Sequence, residues 1–395
     1  MAIPLTDNIY WVGVNDRLTH LFESLWPLPK GVVYNSYVIK DDKTAVVDAL
    51  KPIAPTSYLK AIREILGSGK PLDYLVVNHM EPDHSGGVKL LKEAYPNLQI
   101  VANKRTTKFL REFYGLEDCV VEMADGETLS LGRHQLKFVL TPLVHWPETM
   151  MTFETTSGTL FAGDAFGAFG ALDGGIFDDE IDIDAIESEI RRYFANIVGK
   201  YSQNVLRALD KLSGVDVKII ASTHGPVWRS DPQRIIRFYE SMSRHEARNG
   251  VLLAFGSMYG NTQHMAEAVA NGLRQNGITD ICVADVSRNH VSYLLRDAWK
   301  YRGLVLGAPT HDQKLFPLME DFVKFLENKG LKTRVAGLFG SYGWSGGAVE
   351  RLEEVAHNNQ WTVVEPVVKS CCAPNDQDLE NCRLLGRNLA AELKP

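Results

Sequence analysis

The chain has 395 residues, 45% of them hydrophobic and 23% charged. At roughly 150 residues per domain this is two or three domains of ordinary globular composition, which excludes disorder, collagen and coiled coil as whole-chain descriptions. The 42 basic and 49 acidic residues leave a net charge of −7, which argues against a general nucleic-acid binder, and no apolar run reaches the ~18 residues of a membrane span.

The N-terminal residues Met1 to Asp7 lack a basic segment followed by an apolar stretch, so no signal peptide is expected. Over residues 1–249, short β-like runs alternate irregularly with helical patterns. The runs are Ile9–Val14, Val33–Ile39, Thr44–Asp48, Tyr74–Val77, Leu98–Ala102, Gln135–Leu140 and Val217–Ala221. Helical periodicity is expected near 54–66, 86–94, 181–199, 203–212 and 231–247. From Gly250 the pattern becomes regular. Strands at Val251–Phe255, Ile281–Asp285, Leu304–Leu306, Arg334–Leu338 and Thr362–Val364 alternate with five helical segments. Five such repeats in a single stretch predict a doubly wound parallel sheet, so two domains are expected, 1–249 and 250–395.

In the first domain, ligand-type side chains cluster after apolar runs. Tyr74–Asn78 is followed by His79, Glu81, Asp83 and His84. In an extended loop, 79, 81 and 83 would project to one side, with His84 turned toward a second ion. His145 follows the run ending at Leu140, Asp164 follows Leu160–Gly163, and His224 follows Ile219–Thr223. Placed so, all seven can meet at one edge of a sheet. His20, His134, His245, His264, His290 and His357 read as ordinary core or surface histidines. The acidic stretch Asp178–Asp184 reads as a solvated helix start, favoured by the helix dipole, and Trp146 as packing beside His145.

In the second domain, the first strand runs into Gly256-Ser257-Met258-Tyr259-Gly260-Asn261-Thr262 and then a helix. Small and hydroxyl residues at a helix N-terminus surround an anion. The loop lacks the lysine of a nucleoside-triphosphate loop and the glycine spacing of a dinucleotide turn. The third strand ends in Pro309-Thr310-His311-Asp312 and the fourth in Ser341-Tyr342-Gly343-Trp344, with Gly346 beyond. In strand order 2-1-3-4-5 these three loops converge, one for a phosphate and two for a flat ring.

The five cysteines, Cys119, Cys282, Cys371, Cys372 and Cys382, form no C-x-x-C pair. A disulfide framework is not expected, and the compartment is expected to be reducing, hence cytoplasmic. The chain also carries no cysteine-ligated iron of its own.

The loops at 257–262, 307–312 and 340–347 resemble the phosphate loop and the two isoalloxazine loops of the flavodoxin family, which implies bound FMN. The ordered set from His79 to His224 resembles the metallo-β-lactamase fold, an αββα sandwich. Glu81 stands where the usual loop has a second histidine, and an added hard carboxylate suits iron rather than zinc. Together the two domains resemble the flavodiiron proteins over essentially the whole chain. The resemblance implies a non-haem pair of irons. One would be held by His79, Glu81 and His145, the other by Asp83, His84 and His224, with Asp164 bridging. Tyr193, in the segment Arg191–Asn196, would donate a hydrogen bond near the irons.

It further implies reduction of O2 to water or of NO to N2O, in a head-to-tail homodimer or a dimer of dimers. Electrons would come from a separate rubredoxin or similar donor, since no fused rubredoxin is expected. Residues 250–395 hold 15 basic and 16 acidic residues, against 27 and 33 in the first domain. An acidic donor is therefore repelled less by the flavin side. Two alternatives stand beside this reading: a binuclear zinc hydrolase fused to a flavodoxin-like module, and an electron carrier with a degenerate metal domain.

Overall fold

The computed structural model describes residues 2–394. They form two compact units. One extends to Phe194 and resumes over Tyr201–Glu240; the other holds Ala195–Lys200 and continues from Ser241.

The first unit is built on two sheets. The larger has, in spatial order, Ile3–Thr6, Ile9–Trp11, Tyr37–Ile39, Ala45–Val47, Tyr74–Val76, Gln99–Ala102 and Val120–Glu122. Its first four strands are antiparallel neighbours. Its last three are added in parallel, through crossovers that carry the helices Pro55–Leu66, Val88–Ala94 and Lys104–Tyr114. The smaller sheet is an antiparallel meander of Thr128–Ser130, Gln135–Leu140, Met150–Glu154 and Thr159–Gly163, with Ile219–Ser222 parallel at its edge. The helices Ile183–Tyr193 and Ser202–Leu212 lie in that last crossover.

The inner faces of the two sheets share one core. Tyr37, Val47, Val76 and Val101 from the first meet Leu136, Phe138, Phe161 and Ala221 from the second. The Tyr37 and Phe161 rings lie 5.2 Å apart. Each side chain so buried contributes about 1.5–3 kcal/mol. Sheet on sheet with helices in the outer crossovers is the αββα sandwich expected above.

Several elements differ from the sequence-based expectation. The run Val33–Ile39 is two strands, Val32–Tyr34 and Tyr37–Ile39. The break falls at Asn35, whose side chain accepts from Trp11 Nε1 at 2.7 Å and donates to the carbonyls of Ser222 and Gly225. The helix expected to reach 199 ends at Tyr193 and continues as one π-helical turn, Phe194–Val198. The helix Lys104–Tyr114 was not anticipated. Only Thr106 and Leu110 on it are buried, so its apolar periodicity is faint. It is fixed locally instead: the Asn103 side chain accepts from the backbone N–H of Arg105 and Thr106, and Gly115 closes it at φ +69°.

The second unit is a parallel sheet in the order Ile281–Asp285, Arg248–Phe255, Tyr301–His311, Val335–Tyr342 and Thr362–Cys371. In chain order this is 2-1-3-4-5, the doubly wound arrangement expected. The helices Asn261–Gln275 and Asp376–Leu393 cross closely, because each presents a glycine to the other. A Cβ on Gly272 would lie 2.2 Å from the carbonyl oxygen of Arg383, and one on Gly386 2.3 Å from that of Val269. No helix among the described residues is long and apolar enough to cross a membrane.

Candidate metal centre and flavin loops

The metal candidates lie just past the C-terminal ends of strands, where backbone pairing stops and side chains are free to converge. His79 and Glu81 follow Tyr74–Val76, His145 follows Gln135–Leu140, Asp164 follows Thr159–Gly163 directly, and His224 follows Ile219–Ser222. The period-two expectation for 79, 81 and 83 is corrected at Pro82. This proline starts a single helical turn, Pro82–Ser85, with Glu81 at its N-cap. The turn sends Asp83 away from His79 and Glu81 and sets it beside His84.

The seven side chains form two groups. His79, Glu81, His145 and Asp164 make one; Asp83, His84 and His224 make the other; within each, the ligand-type atoms lie within 4.8 Å of one another. Asp164 joins them. Its Oδ2 lies 3.0 Å from His145 Nε2 and 3.6 Å from His79 Nε2. Its Oδ1 lies 2.9 Å from His84 Nε2 and 3.6 Å from His224 Nε2. Glu81 Oε2 is 3.1 Å from His145 Nε2 and 3.3 Å from His79 Nε2. Asp83 is 3.2 Å from His84 and 3.3 Å from His224. Donors held at about 2.1 Å from a common ion lie about 3.0–3.4 Å apart, so these spacings suit a shared cation in each group.

Hydrogen bonding does not explain the second group. Both carboxylate oxygens of Asp83 and the Nε2 atoms of His84 and His224 are buried without a hydrogen-bond partner. Leaving such groups unpaired is costly, and a cation in each group satisfies them. The donor set of imidazoles and three carboxylates fits a pair of iron ions.

The electrostatics of the ion-free chain follow from the same crowding. Burial alone would lower the pKa of His79, yet its hydrogen bonds to Glu148 and Glu81 carry it up to about 10. Burial is likewise outweighed at His145 by Asp164 and Glu81, giving about 10, and at His84 by Asp83 and Asp164, giving about 9. Asp164 is buried, but the facing imidazoliums hold its carboxyl well below the usual range. Below pH 9 the imidazoles of His79, His84 and His145 are thus charged partners of the carboxylates, and metal entry must displace their protons.

Two consequences follow. The pKa values of His79, His84 and His145 are raised above the unfolded value of about 6.5. The stability they lend the ion-free chain is therefore complete below pH 6.5 and lost as pH rises toward 10. Ferrous binding at pH 7 is expected to release about three protons per chain, and to tighten as pH rises to 9. Anaerobic titration calorimetry in buffers of different ionisation enthalpy checks this; release of no protons at pH 7 shows the imidazoles neutral.

Around the centre, Tyr193 is fully buried, its hydroxyl has no hydrogen-bond partner, and its ring lies 5.6 Å from that of His224. Burial, with Asp164 nearby, raises its pKa well above the ordinary value, so it keeps its proton. Trp146 packs edge-on to His79 at 5.1 Å. A cleft of about 560 Å³ opens beside the centre, lined by Phe22, Glu23, Tyr34, Lys51, Glu81, Asp83 and Phe113 among others. Two second-layer acids were missed from sequence, Asp48 and Glu148. Each stands alone in a loop, and only tertiary structure brings it near a ligand. The acidic stretch divides: Asp182 caps the helix Ile183–Tyr193, whereas Asp178 is buried and accepts from the backbone N–H of Arg229, Ser230 and Asp231. The other histidines stay apart from these groups; His290, for example, caps the helix Val291–Lys300.

In the second unit, the expected loops follow strands one, three and four. Ser257 Oγ accepts from Gly260 N–H at 3.0 Å, and the helix beginning at Asn261 has no side-chain cap. Its first backbone N–H groups are thus available to a phosphate. Thr262 Oγ1 and Ser341 Oγ meet at 2.9 Å, tying the first loop to the fourth strand. Nothing stands within 4 Å of a Cβ built on Gly260 or Gly343. Tyr259 and Trp344 are 91% and 86% exposed, and Met258 is also exposed. Asp312 takes a left-handed φ of +48° at the turn beyond Pro309-Thr310-His311, and His311 is 3.5 Å from it. Open glycines, an uncapped helix start and unpaired aromatic rings fit FMN. Trp344→Ala is expected to weaken FMN retention roughly 2–10-fold, the worth of one aromatic stacking partner. Equilibrium dialysis checks this, and unchanged retention with an unchanged redox titration counts against a ring contact.

A β-lactamase-like sandwich bearing two adjoining groups of metal-ligand side chains, joined to a doubly wound unit with loops that fit a flavin, is the architecture of a two-cofactor oxidoreductase. The chain matches the ODP family beta lactamase over residues 32–225 and flavodoxin over 253–386. It is 32% identical to the nitric oxide reductase of Moorella thermoacetica over 99% of this chain and 98% of that protein. It is 30% identical to the anaerobic nitric oxide reductase flavorubredoxin of Escherichia coli, over 99% of this chain and 82% of that one. The rubredoxin oxygen:oxidoreductase of Desulfovibrio gigas superposes with a TM-score of 0.95 at 27% identity, covering 100% of this chain and 98% of that one. The flavodiiron protein of Giardia intestinalis gives 0.94 at 27%, over 100% and 97%. The chain belongs to the flavodiiron proteins.

Proposed function

We propose that this protein reduces O2 to water, NO to N2O, or both, at a non-haem diiron centre fed through FMN by an external donor. The observation that carries the reading is Asp164, with one oxygen in each ligand group. Its cofactors are FMN and two irons. His79, Glu81 and His145 would hold one iron and Asp83, His84 and His224 the other, with Asp164 shared between them. When bound, the flavin supplies two electrons and the ferrous pair two more, four for O2 to two waters or two for two NO to N2O and water.

The chain's own residues do the rest. The ligands fix both positions within one carboxylate's span. Tyr193, protonated and unpartnered, donates a hydrogen bond into the centre. Phe22, Phe169 and Tyr193 pack ring against ring beside His224 and exclude water on that side. The iron chemistry belongs to residues 1–249 and the flavin to 250–395. FMN is held by Ser257–Thr262, by Pro309–Asp312, and by Ser341–Trp344 with Gly346.

The protein acts as a head-to-tail homodimer, alone or paired into a dimer of dimers. Both sites have exposed apolar rims: Leu21 and Phe113 at the metal cleft with Leu25 and Ile53 adjacent in the chain, and Met258, Tyr259 and Trp344 on the flavin loops. Apposing these rims in two copies covers them. The donor is a rubredoxin or similar carrier, the partner after which the Desulfovibrio gigas enzyme is named, and it docks on the nearly neutral flavin side. All five cysteines are free, which suits a reducing, cytoplasmic setting.

Metal analysis tests the reading directly. About two irons per chain with a flavin spectrum support it, zinc without iron supports the hydrolase, and absence of metal supports the carrier. Parallel single-turnover consumption of O2 and NO by the reduced protein then ranks the substrates. A fully active monomer in size-exclusion measurements overturns the dimer.

A further inference from the structure

The outer nitrogens of His79, His84 and His224 are served very unequally. His79 Nδ1 lies 2.8 Å from Glu148 Oε1, a carboxylate buried to 1% exposure. His224 Nδ1 faces only the backbone carbonyl of Val33 at 2.9 Å, and His84 Nδ1 has no hydrogen-bond partner. Glu148 Oε1 also accepts from the backbone N–H of Met80 at 3.0 Å, and its backbone carbonyl accepts from the Asn103 side chain at 2.6 Å. Glu148 is therefore held at one carboxylate oxygen and at its backbone carbonyl, with Oε2 buried and without a hydrogen-bond partner, and the loop that holds it is the one that carries His145. The other buried acid nearby, Asp48, spends its oxygens on Asn78: Oδ1 on the backbone N–H at 2.8 Å and Oδ2 on the side-chain amide at 3.0 Å. The first ligand group thus has Glu81, its share of Asp164 and a third carboxylate behind His79. The second has Asp83 and its share of Asp164, with no carboxylate on the outer nitrogen of His84 or His224.

We propose that Glu148 is a positioning residue that makes the two iron positions unequal, so that in the half-reduced centre the ferric ion sits at the His79–Glu81–His145 position. Accepting from Nδ1–H fixes the tautomer that aims Nε2 inward, and it enriches the imidazole as a donor. A nearby negative charge in a buried site stabilises the higher oxidation state of the ion it faces. The second position, with neutral outer contacts, is then reduced first, and the His79 position last. This rests on the diiron reading above.

The test uses the iron-loaded, FMN-loaded protein and its Glu148→Gln variant, which keeps the shape but not the charge. An EPR-monitored redox titration reads the two one-electron steps. In the wild type they are separated and the half-reduced signal is strong. In Glu148→Gln the second step moves up while the first moves little, so the separation narrows and the half-reduced signal falls. A tenfold loss of ferric preference corresponds to about 59 mV for one electron. Stepwise ferrous titration of the metal-free variant shows the tighter site weakened about 10–100-fold. Glu148→Asp, which restores a carboxylate one methylene away, recovers most of the separation, whereas a purely structural residue gives no such rescue. Equal movement of both steps, or no movement in a variant that retains two irons, overturns the proposal. Fewer than two irons in the wild type overturns the diiron reading itself.

Discussion

Replacing Asp164 with alanine is expected to abolish consumption of both O2 and NO while the bound flavin still accepts electrons. The reason is geometric. Asp164 is the one side chain with an oxygen in each ligand group, 3.0 Å from His145 on one side and 2.9 Å from His84 on the other. Alanine removes a candidate ligand from both positions at once and leaves the facing imidazoles without the one carboxylate they share. Its Oδ1 also accepts from Thr223 Oγ1 at 2.6 Å, so the strand end that presents His224 loosens as well. The loss should exceed about 10³-fold, beyond the about 10–100-fold that outer-layer partners are worth. Glu81→Ala should behave similarly but spare the second position, retaining about one iron. Metal content, stopped-flow flavin reduction and gas consumption on the same preparations check this. Wild-type turnover in either variant sinks the diiron assignment.

The sequence carried the candidate ligands because they follow apolar runs, and an apolar run in this setting is a buried strand whose end must open onto something. The same logic placed the flavin loops after strands one, three and four. What it could not carry was anything decided by tertiary contact. Asn35 breaks a run that reads as one strand, because its side chain is claimed by Trp11 and by two carbonyls nearly 190 residues away. Pro82 turns a loop that reads as extended into a helical turn, and so sets Asp83 beside His84 instead of on one side with His79 and Glu81. Glu148 is an ordinary acid three residues beyond His145 until the fold sets it against His79. The helix Lys104–Tyr114 escaped because capping, rather than an apolar face, defines it.

The complementary lesion lies in the flavin unit. Gly386→Ala is expected to cost that unit FMN while leaving the irons in place. In an isolated helix the change would stabilise by about 1 kcal/mol, since alanine is the better helix former. Here the new Cβ would lie 2.3 Å from the carbonyl oxygen of Val269 and 2.8 Å from the amide of Leu273. These are backbone atoms and cannot rotate away. The helices must separate by about 1 Å to reach van der Waals contact, against a core that includes Val269, Leu273, Leu385 and Leu389. Overpacking of this kind costs about 1–3 kcal/mol, and more where the neighbour cannot yield, so the clash outweighs the gain in propensity. The displaced helix, Asn261–Gln275, is the one whose first turn serves the phosphate. Its shift therefore reaches the cofactor about 12–18 Å along the helix, though no flavin-loop residue is touched. The core of the iron unit draws on none of these residues. Flavin absorbance, iron content and donor-driven turnover should read low, normal and low in turn. Normal flavin content with an unchanged melting profile would show that this helix crossing has slack the glycines do not reveal.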